Sequence, residues 1–211
     1  MKQAIGHDYY IFYKPFGVIS QFTPEVSGQA CLKDWLNLKS DVYPVGRLDL
    51  DSEGLLLLSN DKALQRAVLL PENKMIKTYW LQVEGHFGQI AAHQLMEGVY
   101  ISVQKKRHLV KAINVHWTDH PVSVSDRNPP IRYRKSIPDT WIQISISEGK
   151  NRQLRKMLAA VNFPVLRLIR VAIGCLTIHK MKPGEYRKLS NNEYSILFKP
   201  PKDEGFLKLE V

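Results

Sequence analysis

Cysteine is scarce in this chain, acid is outnumbered, and no apolar run is long. Only Cys31 and Cys175 occur among 211 residues. With no C-x-x-C spacing, neither a disulfide framework nor a thiolate metal site is expected. The seven histidines include no H-E-x-x-H pair, so no metal is expected there either. No stretch approaches the roughly 20 apolar residues that span a bilayer, which argues against membrane insertion. The N-terminal MKQAIGHDYYIFYKP lacks the apolar core of a signal peptide, which reads as a cytoplasmic protein. G-x-G-x-x-G and P-loop strings are missing, against nicotinamide or nucleoside-triphosphate chemistry. Lys and Arg number 30 against 20 Asp and Glu, a net charge of +10. That imbalance favours a polyanionic partner, nucleic acid first.

Strands and helices alternate along the chain. Tyr9 to Tyr13 reads as a short aromatic and β-branched strand ending in the turn Lys14-Pro15-Phe16-Gly17. Cys31 to Leu38 has helical spacing through Leu32, Trp35 and Leu36. Leu55 to Ser59 is apolar without alternation, as a strand buried on both faces should be. Asn60-Asp61 caps a helix over Lys62 to Leu70, stopped by Pro71. Thr78 to Glu84 reads as a strand, Gln89 to Met96 as a helix ending at Gly98, and Lys106 to Trp117 as one alternating strand. Thr140 to Ser147 alternates with period two. Asn151 to Ala160 follows as a helix, Val165 to Ile173 as a strand, and Ser190 to Glu193 as a capping box for a last short helix. Such an order predicts an α+β fold with a mixed, largely antiparallel sheet. Pro121 to Pro138 is the one long irregular stretch, combining prolines with Arg127, Arg132, Arg134 and Lys135.

The most informative string is Gly46 to Gly54, G-R-L-D-L-D-S-E-G, running directly into Leu55-Leu56-Leu57-Leu58. It sets Asp49, Asp51 and Glu53 beside Arg47 at the mouth of a buried strand, in a chain that is otherwise short of acid. A solvated acidic turn capped by Gly54 is the plain reading of those residues taken alone. The whole string, however, resembles the active-site motif of the pseudouridine synthases, in the branch that modifies ribosomal RNA hairpins. Further blocks carry the resemblance in the family's order: Tyr13-Lys14-Pro15-Phe16-Gly17, then Lys77-Thr78-Tyr79, then Glu148-Gly149-Lys150-Asn151-Arg152-Gln153-Leu154-Arg155, then Val165 to Gly174. R-N-P-P-I-R-Y-R-K-S-I-P further resembles a subfamily that acts on a large-subunit uridine near the peptidyl-transferase centre.

The resemblance implies a long bent sheet in two halves with flanking helices and a central cleft. It also implies a single catalytic domain over residues 1–211, two sub-domains sharing one sheet, with no N-terminal accessory RNA-binding module. The implied reaction converts uridine to pseudouridine: the base leaves the sugar through nitrogen-1, turns, and rejoins through carbon-5. No electrons enter and no group is lost, so no cofactor is expected. What the chemistry needs is an ionised carboxylate beside the sugar, as nucleophile or as base. The motif assigns that role to Asp49, with Arg155 as its cationic partner and Tyr79 against the target base. Taken without the motif, Arg155 could be an exposed helix charge and Tyr79 an ordinary core tyrosine.

Substrate contacts are expected from several other residues. Arg47 either fills the gap left by a flipped base or holds a phosphate; a salt bridge to Asp51 or Glu53 is the alternative. Leu168 would form the apolar floor under the base, although any buried strand leucine has the same signature. Arg132, Arg134 and Lys135, with Lys150 and Arg152, are the candidate phosphate contacts, which position RNA without reading its sequence. The expected partner is ribosomal RNA, as a large-subunit stem-loop, bound by a monomer. A non-catalytic RNA-binding protein would share the charge but would not need R-L-D-x-D together with K-x-Y and Q-L-R. A glycosidase would need a pair of carboxylates flanking its bond.

Overall fold

A computed structural model describes residues 6–118, 124–132, 136–178 and 180–198. In chain order the described residues form β1 (Tyr9–Lys14), β2 (Tyr43–Val45), β3 (Glu53–Ser59), α1 (Lys62–Leu69), β4 (Lys77–Glu84), α2 (Gln89–Glu97), β5 (Val99–Val103) and β6 (Lys106–Val110). There follow β7 (Asn114–Trp117), β8 (Asp139–Ile146), α3 (Gln153–Ala160), β9 (Val165–Ile173), β10 (Leu176–Thr177), β11 (Tyr186–Lys188) and α4 (Asn191–Leu197). Nine of the strands make one sheet in the order β11-β1-β3-β9-β4-β8-β7, with β2 on β3 and β10 on β9, while β5 and β6 form a separate hairpin. All pairings are antiparallel except β3 with β9. The architecture is the expected α+β, mixed and largely antiparallel. No helix among the described residues is long and apolar enough to cross a membrane.

The sheet divides at that one parallel contact. β3 meets β9 through only two residue pairs, Glu53 with Ile169 and Gly54 with Arg170. Gly54 makes the approach possible: it sits at φ +104°, and a Cβ there would lie 2.3 Å from the Arg170 carbonyl oxygen. Strand periodicity then sorts the four leucines of β3. Leu55 and Leu57 enter a core that straddles the seam and includes Trp80 and Ile169. Leu56 and Leu58 face the other way, into a cluster with Phe12, Leu32 and Leu36. Across the seam, Leu81 and Leu168 belong to a third cluster packed beneath α2 and α3. That double-sided burial explains why β3 shows no alternation in sequence.

Local signals place the helices. Asp61 accepts from the backbone N–H groups of Ala63 and Leu64, at 2.8 and 3.3 Å, and starts α1. Tyr9 donates its hydroxyl to the same carboxylate at 2.8 Å, tying α1 to β1. Ser190 and Glu193 cap α4 reciprocally, as their spacing predicts.

Two expected elements differ. Cys31 to Leu38 forms only a 3-10 turn at Leu32–Asp34, capped at its start by Asp34, which accepts the Cys31 N–H at 2.8 Å. Leu32 and Leu36 are buried nonetheless, so their spacing records a shared packing direction rather than a helix. Lys106 to Trp117 is not one strand but two, β6 pairing with β5 and β7 with β8. Between them the chain changes partner: Ala112 N–H donates to Leu95 and Ile113 N–H to Ser145, each at 2.8 Å. Alternation continued across the break because both strands are half-buried.

Candidate active site

The Gly46 to Ser52 loop joins β2 to β3 and is held by its backbone. Ser20 donates its hydroxyl to the Leu48 carbonyl at 2.7 Å and accepts the Leu48 N–H at 2.9 Å. Gly17, from the Tyr13-to-Gly17 block, donates its N–H to the Leu50 carbonyl at 2.9 Å. Inside the loop, Ser52 N–H closes onto the Asp49 carbonyl at 3.0 Å. Arg155, on α3, donates to the Asp51 carbonyl at 2.6 Å and to the Val165 carbonyl at 3.0 Å. The widely separated motif blocks therefore converge on one loop.

Asp49 emerges from this clamp half-exposed, on the wall of a cleft of about 800 Å³. Tyr79 of β4 and Leu168 of β9 line the same cleft and are 7% and 6% exposed. Their strands are adjacent, with Tyr79 paired to Arg170 and Leu81 to Leu168. Asp49 comes from one half of the sheet, and Tyr79 and Leu168 from the other. A carboxyl group, an aromatic ring and an apolar surface are thus presented together, a set suited to a sugar with its base turned out.

Charge is arranged around two aspartates. Arg152 forms two hydrogen bonds to the Asp51 carboxylate, at 3.0 and 2.7 Å, and its Nη1 lies 3.8 Å from Asp49 Oδ2. Arg155 Nε lies 3.3 Å from the Asp51 carboxylate, close enough to pair but without hydrogen-bond alignment. Burial opposes ionisation of Asp51, yet the Arg152 hydrogen bond and the Arg155 and Arg152 charges together hold its carboxyl below the usual range. The cation meeting Asp49 directly is therefore Arg152, whereas Arg155, read from the sequence as the partner of Asp49, spends its contacts on Asp51 and the loop backbone. Arg152 reaches across from the N-cap of α3 in a left-handed conformation, φ 50°, a backbone state costing about 1–2 kcal/mol for a non-glycine residue.

Other expected residues take various places. Arg47 lies on the cleft rim, 70% exposed in its side chain; its carboxylate neighbour is Glu25 at 4.0 Å, neither Asp51 nor Glu53. Glu53 makes a two-bond ion pair with Arg167, both 3% exposed in their side chains. Neither residue is among those lining the cleft. Lys150 lines the cleft and pairs with Glu148; Gln153 braces the turn by donating to Glu148 at 2.8 Å and accepting the Lys150 N–H at 2.9 Å. Arg132 is exposed and borders a separate pocket of about 270 Å³ beside Glu84 and Asp139, away from the main cleft. Arg134 and Lys135 lie outside the described residues. In the same Pro-rich stretch, Arg127 stacks over the Phe16 ring, 4.2 Å from its centroid, and joins that stretch to the Tyr13-to-Gly17 block.

Sequence reasoning missed two cations in the cleft. Arg170 is buried, donates from Nε to the Leu55 carbonyl at 2.8 Å, and leaves Nη2 without a partner among the described residues. Lys77 lines the cleft with Nζ on the Met75 carbonyl at 3.0 Å. Burial, reinforced by the Arg170 charge, pushes its pKa down to about 8. The signal for Arg170 was present: an arginine inside the apolar run V-L-R-L-I-R-V-A-I needs a buried partner or a ligand. Among the described residues no group of three His, Cys, Asp or Glu is arranged to hold a metal.

Comparison with known proteins agrees with this geometry. The family model described as RNA pseudouridylate synthase matches residues 8–160. A Vibrio vulnificus protein named ribosomal large subunit pseudouridine synthase E is 43% identical over 180 residues, covering 85% of this chain and 74% of that protein. A Xanthomonas campestris protein of the same name is 41% identical over 174 residues, 82% of this chain and 91% of that one. Among solved structures, one titled crystal structure of pseudouridylate synthase superposes with a TM-score of 0.73 at 22% identity, covering 93% of this chain and 75% of its own, a likeness of fold.

Proposed function

The chain belongs to the RNA pseudouridylate synthase family and is an isomerase that converts uridine to pseudouridine; from that premise we propose that its substrate is one specific uridine in large-subunit ribosomal RNA, with Asp49 as the catalytic residue. The observation that carries the assignment is Asp49 itself, held through neighbouring backbone groups while its carboxylate opens into the cleft opposite Tyr79 and Leu168. Two relatives above 40% identity are named for the large subunit, which supports that choice of RNA.

The target nucleotide leaves its stack at a cost of a few kcal/mol, and stacking on Tyr79 returns roughly 1–3 kcal/mol. Leu168 supports the base from the strand beside it. The Asp49 carboxylate acts at the ribose, either attacking carbon-1′ or removing a sugar proton, as the bond from carbon-1′ to nitrogen-1 breaks. Uracil turns and carbon-1′ bonds to carbon-5, as the carbon-1′ bond to Asp49 breaks on the first route or as the sugar proton returns from Asp49 on the second; the carbon-5 proton then departs and nitrogen-1 takes one up. Arg152, 3.8 Å from Asp49, sets a positive charge beside the acting carboxylate. Arg155 acts by fixing the loop through Asp51. Tyr79, against the base, helps remove the carbon-5 proton through its hydroxyl. Arg47 on the rim, with Lys150 beside it in the cleft, meets phosphates. The exposed charge of Arg132 serves RNA outside the cleft.

The enzyme acts in the cytoplasm as a monomer, the two halves of its sheet working as one catalytic domain. The test is tritium release from carbon-5-labelled uridine in protein-free large-subunit RNA, with pseudouridine mapping in a deletion strain. Release confined to one site that the strain lacks is the expected result. A chain that binds this RNA without releasing tritium would be a non-catalytic binder.

A further inference from the structure

The β5–β6 hairpin stands outside the main sheet, and its two faces differ sharply. Its inner face inserts Ile101 and Val110, 3% and 1% exposed, into the cluster that holds Leu154 and Met157 of α3. Its outer face presents the cross-strand pairs Tyr100–Leu109 and Ser102–Arg107. Tyr100 and Leu109 are 57% and 53% exposed, and Arg107 stands over the Tyr100 ring at 4.6 Å. From Gly98 to Thr118 the chain carries Lys105, Lys106, Arg107 and Lys111 and no acidic residue.

The turn adds an independent observation. Val103 pairs with Lys106, so Gln104 and Lys105 alone make the bend, at φ 50° and 63°. Two-residue bends of this kind favour Asn-Gly, because both central residues must be left-handed. Here two side-chain-bearing residues bear that strain at a solvent-exposed tip, and what results is a lysine at the apex beside two further cations.

We propose that the outer face of this hairpin is a second RNA-contact surface, holding substrate RNA that flanks the target uridine. The inference rests on the reading of ribosomal RNA as substrate. Tyr100 and Leu109 offer a flat apolar face to a base or ribose, and Arg107 and Lys111, with Lys105 at the tip, meet phosphates beside it. β5 packs on α3, whose N-terminal end carries Arg152 into the cleft wall, so one helix joins the hairpin to the catalytic cleft.

The test uses the full chain and protein-free, transcribed large-subunit ribosomal RNA, with affinity measured across a salt titration and pseudouridine formation followed in parallel. The double charge reversal Arg107→Glu/Lys111→Glu should weaken binding at least tenfold at low salt. Two lost phosphate contacts should reduce the magnitude of the logarithmic salt slope by about 1.4–1.8, from a per-contact value of roughly 0.7–0.9. KM should rise with that loss while kcat holds. The charge-preserving Arg107→Lys/Lys111→Arg should stay within about twofold of wild type, and Tyr100→Leu should lose affinity without altering the slope. An unchanged affinity and slope in the reversed variant, with active wild type, would overturn the proposal, as it would if the face docks a protein instead. A charge-preserving variant as weak as the reversed one would overturn it too, since charge would then not be the cause. Failure of the wild-type chain to modify this RNA at all would refute the substrate reading instead.

Discussion

Arg152 grips Asp51 through two hydrogen bonds while standing 3.8 Å from Asp49. One guanidinium therefore serves two carboxylates with different tasks. Asp51 is fully engaged and stabilises the loop; Asp49 is left within the same positive field but available to substrate. Arg152 does this from the N-cap of α3, in a left-handed backbone conformation and with no side-chain bond to its own helix.

Asp49→Asn should abolish isomerisation and leave the fold intact. The amide keeps the size of the carboxylate but is neither nucleophile nor base, so turnover should fall by about 10³-fold or more. Single-turnover tritium release at saturating enzyme measures it, and retention of more than a few per cent of wild-type activity would remove Asp49 from the mechanism.

Tyr79→Phe should keep substrate affinity, because the ring remains. Tyr79→Leu should lose it roughly tenfold, in line with one stacked base. A lower turnover in the Phe variant at unchanged affinity would assign the hydroxyl a part in the chemistry. Near-wild-type behaviour of both variants would make Tyr79 a core residue only.

Gly54→Ala should be among the most damaging single changes in the molecule. The new Cβ would meet the Arg170 backbone at 2.3 Å, and the residue sits at φ +104°. A cost of about 3 kcal/mol or more lowers the thermal midpoint of a chain this size by about 10 °C. A thermal melt that shows no loss would mean the seam between β3 and β9 is looser than its geometry indicates.

The buried pair Glu53–Arg167 invites a double-mutant cycle. Glu53→Leu alone strands a buried guanidinium and should cost about 3–5 kcal/mol. Glu53→Leu with Arg167→Leu should cost much less than the sum of the singles, because neither charge is then left unpaired. Additive losses in denaturant titrations would show that the two residues stabilise the fold independently.

Acid should loosen α4. The Arg187 hydrogen bond, outweighing burial and helped by the Ser190 cap, lowers the Glu193 pKa from 4.5 to about 2. A carboxyl depressed in the folded state contributes stability above its unfolded pKa and loses it as pH falls through the folded one. Glu193→Gln should therefore be less stable than wild type at pH 7, and the gap should shrink between about pH 4.5 and 2. A gap independent of pH would mean the cap acts without its charge.

Much of this arrangement is legible in the sequence because each motif block carries its own local constraint. R-L-D-x-D-S-E-G marks the loop, Gly54 its entry into β3, and Asp61 and Ser190 their helices. Other features depend on partners far along the chain. Nothing near Arg155 indicates that it would meet Asp51 rather than Asp49, since that contact spans 104 positions. The break between β6 and β7 is invisible because alternation reports exposure, not which strand lies alongside. The brief strands β2, β10 and β11 exist through neighbours that pair with them, and their own residues carry too little signal.

The narrow seam between β3 and β9 has a consequence for what counts as an active-site residue. Asp49 is carried by one half of the sheet and the cleft residues Tyr79 and Leu168 by the other, with two residue pairs joining the halves. Their distance is therefore not a property of the cleft but of the apolar packing that straddles the join, Leu55 and Leu57 against Trp80 and Ile169. A volume change among those four, none of which touches RNA, shifts the carboxylate against its target just as a change beside Asp49 would. Tolerance to substitution in this enzyme should thus follow distance from the seam more closely than distance from the substrate.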